Sequence, residues 1–131
     1  MKKLAAIRGA VCCENTPEDI TKNVCAMCNA IFEKNRLKAE DLVSIQFTVT
    51  KEITKLNPAA ALRKGNAENK ACIDVSKVAL FCSVEPEIEG GLTSVIRVMV
   101  TAYMKKSLEK QNIYLNGAEK LRPDYKKALS D

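Results

Sequence analysis

The chain contains no histidine and no tryptophan, and only 5% of its residues are aromatic. Without histidine there is no Ser-His-Asp or Cys-His nucleophilic machinery and no imidazole to ligate a metal. Acid–base chemistry has to come from Glu, Asp, Lys, Tyr or Cys. Few aromatics leave few platforms on which bases can stack, and the lysines are scattered. Nucleic acid is therefore not an expected partner despite the net charge of +5. No apolar run is long enough to cross a bilayer, so no membrane is expected either. Met1-Lys2-Lys3 leads into a strand-like segment with no cleavage signal behind an apolar stretch. No signal peptide is expected, which points to the cytoplasm. There the six cysteines, Cys12, Cys13, Cys25, Cys28, Cys72 and Cys82, are expected as thiols. Cys25-Ala26-Met27-Cys28 has C-x-x-C spacing but lies inside a helical pattern with no strand directly before it, so filling the core is its expected role.

What remains is an ordinary globular composition, 47% hydrophobic and 28% charged over 131 residues, enough for one domain spanning 1–131. Its most organised stretch runs from Gly90-Gly91 through Tyr103. A glycine pair is followed by a run dense in Val, Ile and Thr, which fit a pleated surface. Strand alternation puts Val95, Arg97, Met99, Thr101 and Tyr103 on one face and Ile96, Val98, Val100 and Ala102 on the other. Arg97 is the least expected residue there. A guanidinium in such a run needs a carboxylate inside the fold, water on an open face, or a bound anion.

Taken in order, Leu4–Cys12 reads as a strand carrying a second embedded arginine, Arg8, beside Gly9, which would let backbone or ligand come close. Thr16 and Pro17 start a helix that should run to about Asn35, with Ile20, Val24, Met27, Cys28 and Ile31 at helical spacing. Leu42–Thr50 alternates as a half-buried strand with Val43, Ile45, Phe47 and Val49 inward. Pro58–Gly65 reads as a short helix ended by its glycine, with Arg63 near the end and a polar loop from Asn66 to Lys70. A strand around Val78–Cys82 ends at Glu85, and Asn112–Leu115 is the last short strand. The order β, α, β, α, β, β, β predicts an α+β fold with one mixed β-sheet and its helices packed on one side. Residues 116–131 are expected to form a loose C-terminal tail.

Arg8, Arg63, Arg97, Arg122, Glu85 and Tyr114 stand out as a set. Guanidinium forks match carboxylates and stay charged when desolvated. With no nucleophile–base pair and no metal cluster evident, the set suits positioning and electrostatic stabilisation of a small, multiply anionic substrate.

At this point the chain resembles a known family. Ile7-Arg8-Gly9-Ala10, Pro58-Ala59-x-Ala61-x-Arg63, Cys82 with Glu85, Gly90-Gly91-Leu92 before Ile96-Arg97-Val98, and Tyr114-Leu115 followed by Leu121-Arg122-Pro123-Asp124 are similar, in order and spacing, to the monofunctional AroH-type chorismate mutases of Bacillus and relatives. The resemblance implies an isomerase of aromatic amino acid biosynthesis that turns chorismate into prephenate by a pericyclic Claisen rearrangement, with no cofactor and no metal. It also implies a homotrimer with active sites between subunits.

Within that resemblance, Arg97 and Glu85 carry the catalytic roles, Arg97 at the ether oxygen and Glu85 at the ring hydroxyl. Arg8 with Tyr114 holds the side-chain carboxylate. The stretch Phe81, Cys82, Ser83 and Val84 runs along the substrate, Cys82 acting through its backbone. Arg63 and Arg122 reach the ring carboxylate from a neighbouring chain and its tail, and Leu121 closes the site. The chain departs from the family pattern at Asn57, where an aromatic residue is common, at Ala60, often lysine, and at Phe81, where a small hydroxyl residue is familiar. These departures bear on affinity more than on the chemical step. Two other readings stay open on these residues: a RidA-like imine or enamine hydrolase on the same trimeric fold, and a non-catalytic trimer that binds a carboxylate metabolite.

Overall fold

The computed structural model describes residues 1–68 and 73–122. Its elements are strand β1 (Lys2–Cys12), helix α1 (Pro17–Lys34), strand β2 (Leu42–Val49), helix α2 (Pro58–Ala67), and strands β3 (Ala79–Val84), β4 (Val95–Lys105) and β5 (Ile113–Leu115). Short 3₁₀ turns occupy Ala39–Asp41 and Ala118–Leu121. The strands form one sheet in the order β3-β2-β4-β1-β5. β4 is antiparallel to both β1 and β2, while β5 joins β1 and β3 joins β2 in parallel. The α+β fold with a single mixed sheet and helices on one side is therefore observed.

α1 packs on β1 and β5, α2 on β2 and β3, and the two helices touch each other. Between helices and sheet lies the main core, in which Ile7, Val11, Ile20, Met27, Ile31, Phe32, Ile45, Phe47, Leu62, Ile96 and Val100 are essentially closed to solvent. Among the described residues the other face of the sheet carries no α-helix, only the 3₁₀ turn Ala118–Leu121 over Ala10, Val95 and Tyr114. β4 therefore alternates as its sequence requires: Ile96, Val98, Val100 and Ala102 are buried, and Arg97, Met99 and Tyr103 are exposed.

Local chemistry sets the element ends. The Asp19 amide donates to Thr16 Oγ1 at 3.1 Å, capping α1, and Pro17 occupies its first turn. At its other end the buried Asn35 bonds Ile31 O at 2.8 Å and both exchanges with Gln111, donating to its carbonyl at 3.0 Å and accepting from its amide at 2.8 Å. Asn112, also buried, accepts the Arg8 amide at 2.8 Å. These two asparagines fix the chain entering β5.

Three details differ from the sequence reading. Gly65 does not end α2; the helix continues to Ala67, and Gly65 lies on its buried face with Pro58, Ala61 and Leu62. Asn66, read as loop, is helical and clamps the return chain, donating to Ile73 O at 2.8 Å and accepting from the Val75 amide at 2.7 Å. Val43 is exposed rather than inward, because the pairing of β2 with β4 slips between Leu42 and Ser44 and Leu42 packs on the core instead. Gly9 does admit backbone, one of the two neighbours expected of it: a side chain there would meet Ile113 O and Ile31 Cδ1 at 3.0 Å and Val98 Cγ1 at 3.1 Å, so its smallness lets β5 and α1 close in.

Candidate active site

The strand register assembles the site on the uncovered face. Thr48 lies opposite Arg97 and opposite Ser83, Arg97 lies opposite Ala10, and Ala10 lies opposite Tyr114. Residues opposed in a ladder share a face. One row thus crosses all five strands as Ser83, Thr48, Arg97, Ala10 and Tyr114. The adjacent row is Phe81, Gln46, Met99 and Arg8. Arg8 is therefore a diagonal neighbour of Arg97, a distance that long side chains can span.

Arg97 is half-exposed, and its partner is a carboxylate: Nε stands 3.2 Å from Glu85 Oε1. Thr48 Oγ1 donates to that same oxygen. Glu85 is held from behind as well, its amide donating to Val49 O at 2.8 Å, which continues the β2–β3 pairing one residue past the strand. Arg97 and Glu85 open into a cleft of about 280 Å³. The segments Thr50–Glu52, Glu85–Ile88 and Gly90–Thr93 form its walls.

Those walls are tied to the start of β4. The Ser94 amide donates to Glu52 Oε1 at 2.8 Å, and this bond holds the Glu52 carboxyl below its ordinary range. Thr50 exchanges backbone and side-chain bonds with Val95, the Val95 amide reaching Thr50 Oγ1 at 3.0 Å. The far wall turns at Gly90, whose φ of +78° and the Gly91 N to Ile88 O bond of 3.0 Å fit a type II turn. Lys51 pairs with Glu87 at the rim, both side chains in water.

Of the residues expected at a site, Arg97 and Glu85 line this cleft together. Arg8 and Tyr114 share their face, with Tyr114 packed beside Ala10, Val95 and Ala118. Phe81 and Ser83 also occupy that face at exposed positions. Cys82 does not: its side chain packs toward the helix layer, so only its backbone is left for a ligand. Val84 is exposed and alternates away from Ser83. Arg63 projects from α2, in the helix layer, and is not among the cleft residues. Leu121 packs on the Tyr114 cluster at the end of the row, and Arg122 follows it. The expected loose tail begins docked: Asn116 Nδ2 donates to Cys12 O at 2.6 Å and Ala118 is fully buried. Pro123, Asp124 and the rest of that tail lie outside the described residues, as does Cys72.

Sequence reasoning missed Thr48, Thr50 and Glu52. A threonine on the polar side of an alternating strand is unremarkable until the register pairs it with an arginine. Asn57, noted as a departure, caps α2 by accepting the Ala59 amide at 2.8 Å. Burial pushes the thiols of Cys12, Cys82 and Cys13 up, the last to about 11, so they stay protonated at neutral pH. Cys25 and Cys28 are buried core residues of α1. No described helix is long and apolar enough to cross a membrane.

The geometry is that of an arginine oriented by a carboxylate in a small cleft. The family profile for chorismate mutase type I matches residues 4–125. Chorismate mutase AroH of Thermus thermophilus is 32% identical over 93% of this chain and 96% of its own length. Chorismate mutase AroH of Bacillus subtilis is 30% identical over 92% of this chain and 91% of its own. A solved chorismate mutase from Clostridium thermocellum superposes with a TM-score of 0.72 at 32% identity, covering 88% of this chain and 97% of that one. The chain belongs to the chorismate mutase type I family, and is an isomerase acting on chorismate.

Proposed function

We propose that Arg97 drives the conversion of chorismate to prephenate by binding the ether oxygen whose C–O bond breaks. Negative charge accumulates on that oxygen in the transition state, so a fixed guanidinium there stabilises the transition state more than the substrate. The observation that carries this reading is the orientation of Arg97 by Glu85 at 3.2 Å inside the cleft. Glu85 and the backbone at Cys82 hold the ring hydroxyl. Arg8 and Tyr114 hold the side-chain carboxylate, and Arg63 and Arg122 meet the ring carboxylate at the mouth, which Leu121 helps to close. No cofactor takes part, and the work is done in the cytoplasm.

The active assembly is a homotrimer with sites between subunits. Two observations support this. The face that bears Arg8 and Arg97 also exposes Leu4, Phe81, Met99 and Tyr103, an apolar surface of the kind that pairs with another chain. Arg63 sits on α2 and is not among its own chain's cleft residues, so a role for it at the substrate calls for a cleft shared with a neighbouring chain.

The test is to mix purified protein with chorismate, without added metal or cofactor, and follow loss of chorismate and appearance of prephenate while the mass in solution is measured. Turnover by a trimer is expected. Turnover by a monomer at assay concentration would overturn the shared-site reading, and turnover that a chelator abolishes would overturn the metal-free mechanism.

A further inference from the structure

We infer that Thr48 is a positioning residue for this reaction, acting through the carboxylate of Glu85. The inference rests on the reading above that Glu85 meets the substrate. Thr48 Oγ1 and Arg97 Nε address the same oxygen, Glu85 Oε1. A carboxylate bound through one oxygen by one donor can still swing about its terminal bonds. Two donors from neighbouring strands, with its own amide anchored to Val49 O, leave it one orientation. Glu85 and Arg97, both lining the cleft, are thereby held in one arrangement.

The hydroxyl is placed by the register itself. Thr48 is paired with Arg97 on one side and with Ser83 on the other, so no rotation of a loop can remove it. Catalytic constellations tolerate little looseness, and their geometry depends on such supporting bonds.

The experiment compares Thr48→Val, Thr48→Ser, Glu85→Gln and Thr48→Val combined with Glu85→Gln, with melting temperature measured for each. Thr48→Val is expected to lower kcat about tenfold, the scale of one hydrogen bond to a charged group, with KM changed less than threefold. Thr48→Ser restores the hydroxyl and is expected within about twofold of the parent. In the Glu85→Gln background the Thr48 change should add little, because the carboxylate it positions has become a neutral amide. If Thr48→Val does not fold, Thr48→Ala carries the same comparison.

An unchanged kcat in Thr48→Val, alongside a large loss in Glu85→Gln, overturns the positioning role and leaves the reading of Glu85 intact. A full rate in Glu85→Gln overturns that reading and the positioning role with it. Equal losses in Thr48→Val and Thr48→Ser, additive with Glu85→Gln, would make Thr48 a structural residue only.

Discussion

The two faces of this sheet are made by alternate residues of the same strands, yet they do different work. On one face Ile7, Val11, Phe47, Ile96, Val98 and Val100 are sealed beneath α1 and α2. On the other, Thr48, Arg97 and Tyr114 line up across the strands with Arg8 in the next row, and among the described residues only the short 3₁₀ turn at Ala118–Leu121 packs on it, at the Tyr114 end. The first face is apolar and closely packed; the second carries the charged and hydroxyl groups and is largely open. Because the strand period is two, an arginine of the cleft and a valine of the core are bonded neighbours, Arg97 and Val98.

The sharpest way to break the comparison is to damage one face and read the other. Phe47→Ala empties a fully buried site and should cost about 3–5 kcal/mol of stability, measured by denaturant unfolding. Whatever fraction remains folded should keep a near-normal kcat; a folded variant with no activity would mean that the core reaches across the sheet into the chemistry.

Arg97→Ala is the converse. It should lower kcat by two to three orders of magnitude, about 3–4 kcal/mol of transition-state stabilisation, with melting temperature nearly unchanged. Arg97→Lys should recover little of this, since one ammonium cannot reproduce the fork. A melting temperature that fell with the rate would place Arg97 on the structural side.

Gly9→Ala tests the covered face at its tightest point. An added methyl meets backbone and side chain at 3.0 Å and should destabilise by about 1–3 kcal/mol, without touching Arg8 beside it. The smallest effect belongs to Asp41, at the margin between sheet and helix. Burial alone would raise its carboxyl, but the Lys2 hydrogen bond, the Lys38 amide and both lysine charges outweigh it and hold the group below its usual range. A lowered native value means that the stabilisation is complete above the unfolded value of about 4 and fades as pH falls through the native one. Asp41→Asn should therefore melt below the parent at pH 7, and the gap should close in acid. A gap that persisted at the lowest pH would show that the charge is not its source.

Much of the covered face was legible in the chain. Helical spacing in α1 and alternation in β4 are local: the first marked the buried stripe, and the second sorted the strand's residues onto two faces without saying which is covered. Arg97 and Glu85 were legible too, one as a charge within an apolar strand, the other as an acid at a strand's end. Thr48 was not, because its meaning depends on a pairing between strands far apart in sequence. Val43 misled because a bulge shifts it by one residue, which reverses the side on which it emerges. Gly65 misled because a glycine at the end of a helical pattern reads as a stop, and only the packing of α2 shows that it is there for closeness.

The register also dictates when activity can first exist. Lys2 pairs with Lys105 and Cys12 with Val95, so the first strand made on the ribosome waits for nearly the last before it has a partner. Contacts so distant along the chain close slowly, and the waiting segment is largely apolar. A nascent chain halted before β4 can pack α1 on α2 but leaves β1 without a strand partner, and it carries only Ala10, Thr48 and Ser83 of the row, without Arg97 or Tyr114. For this enzyme, then, truncated products should be dead and prone to associate, and the final strands act as the checkpoint between an unfinished polypeptide and a working one.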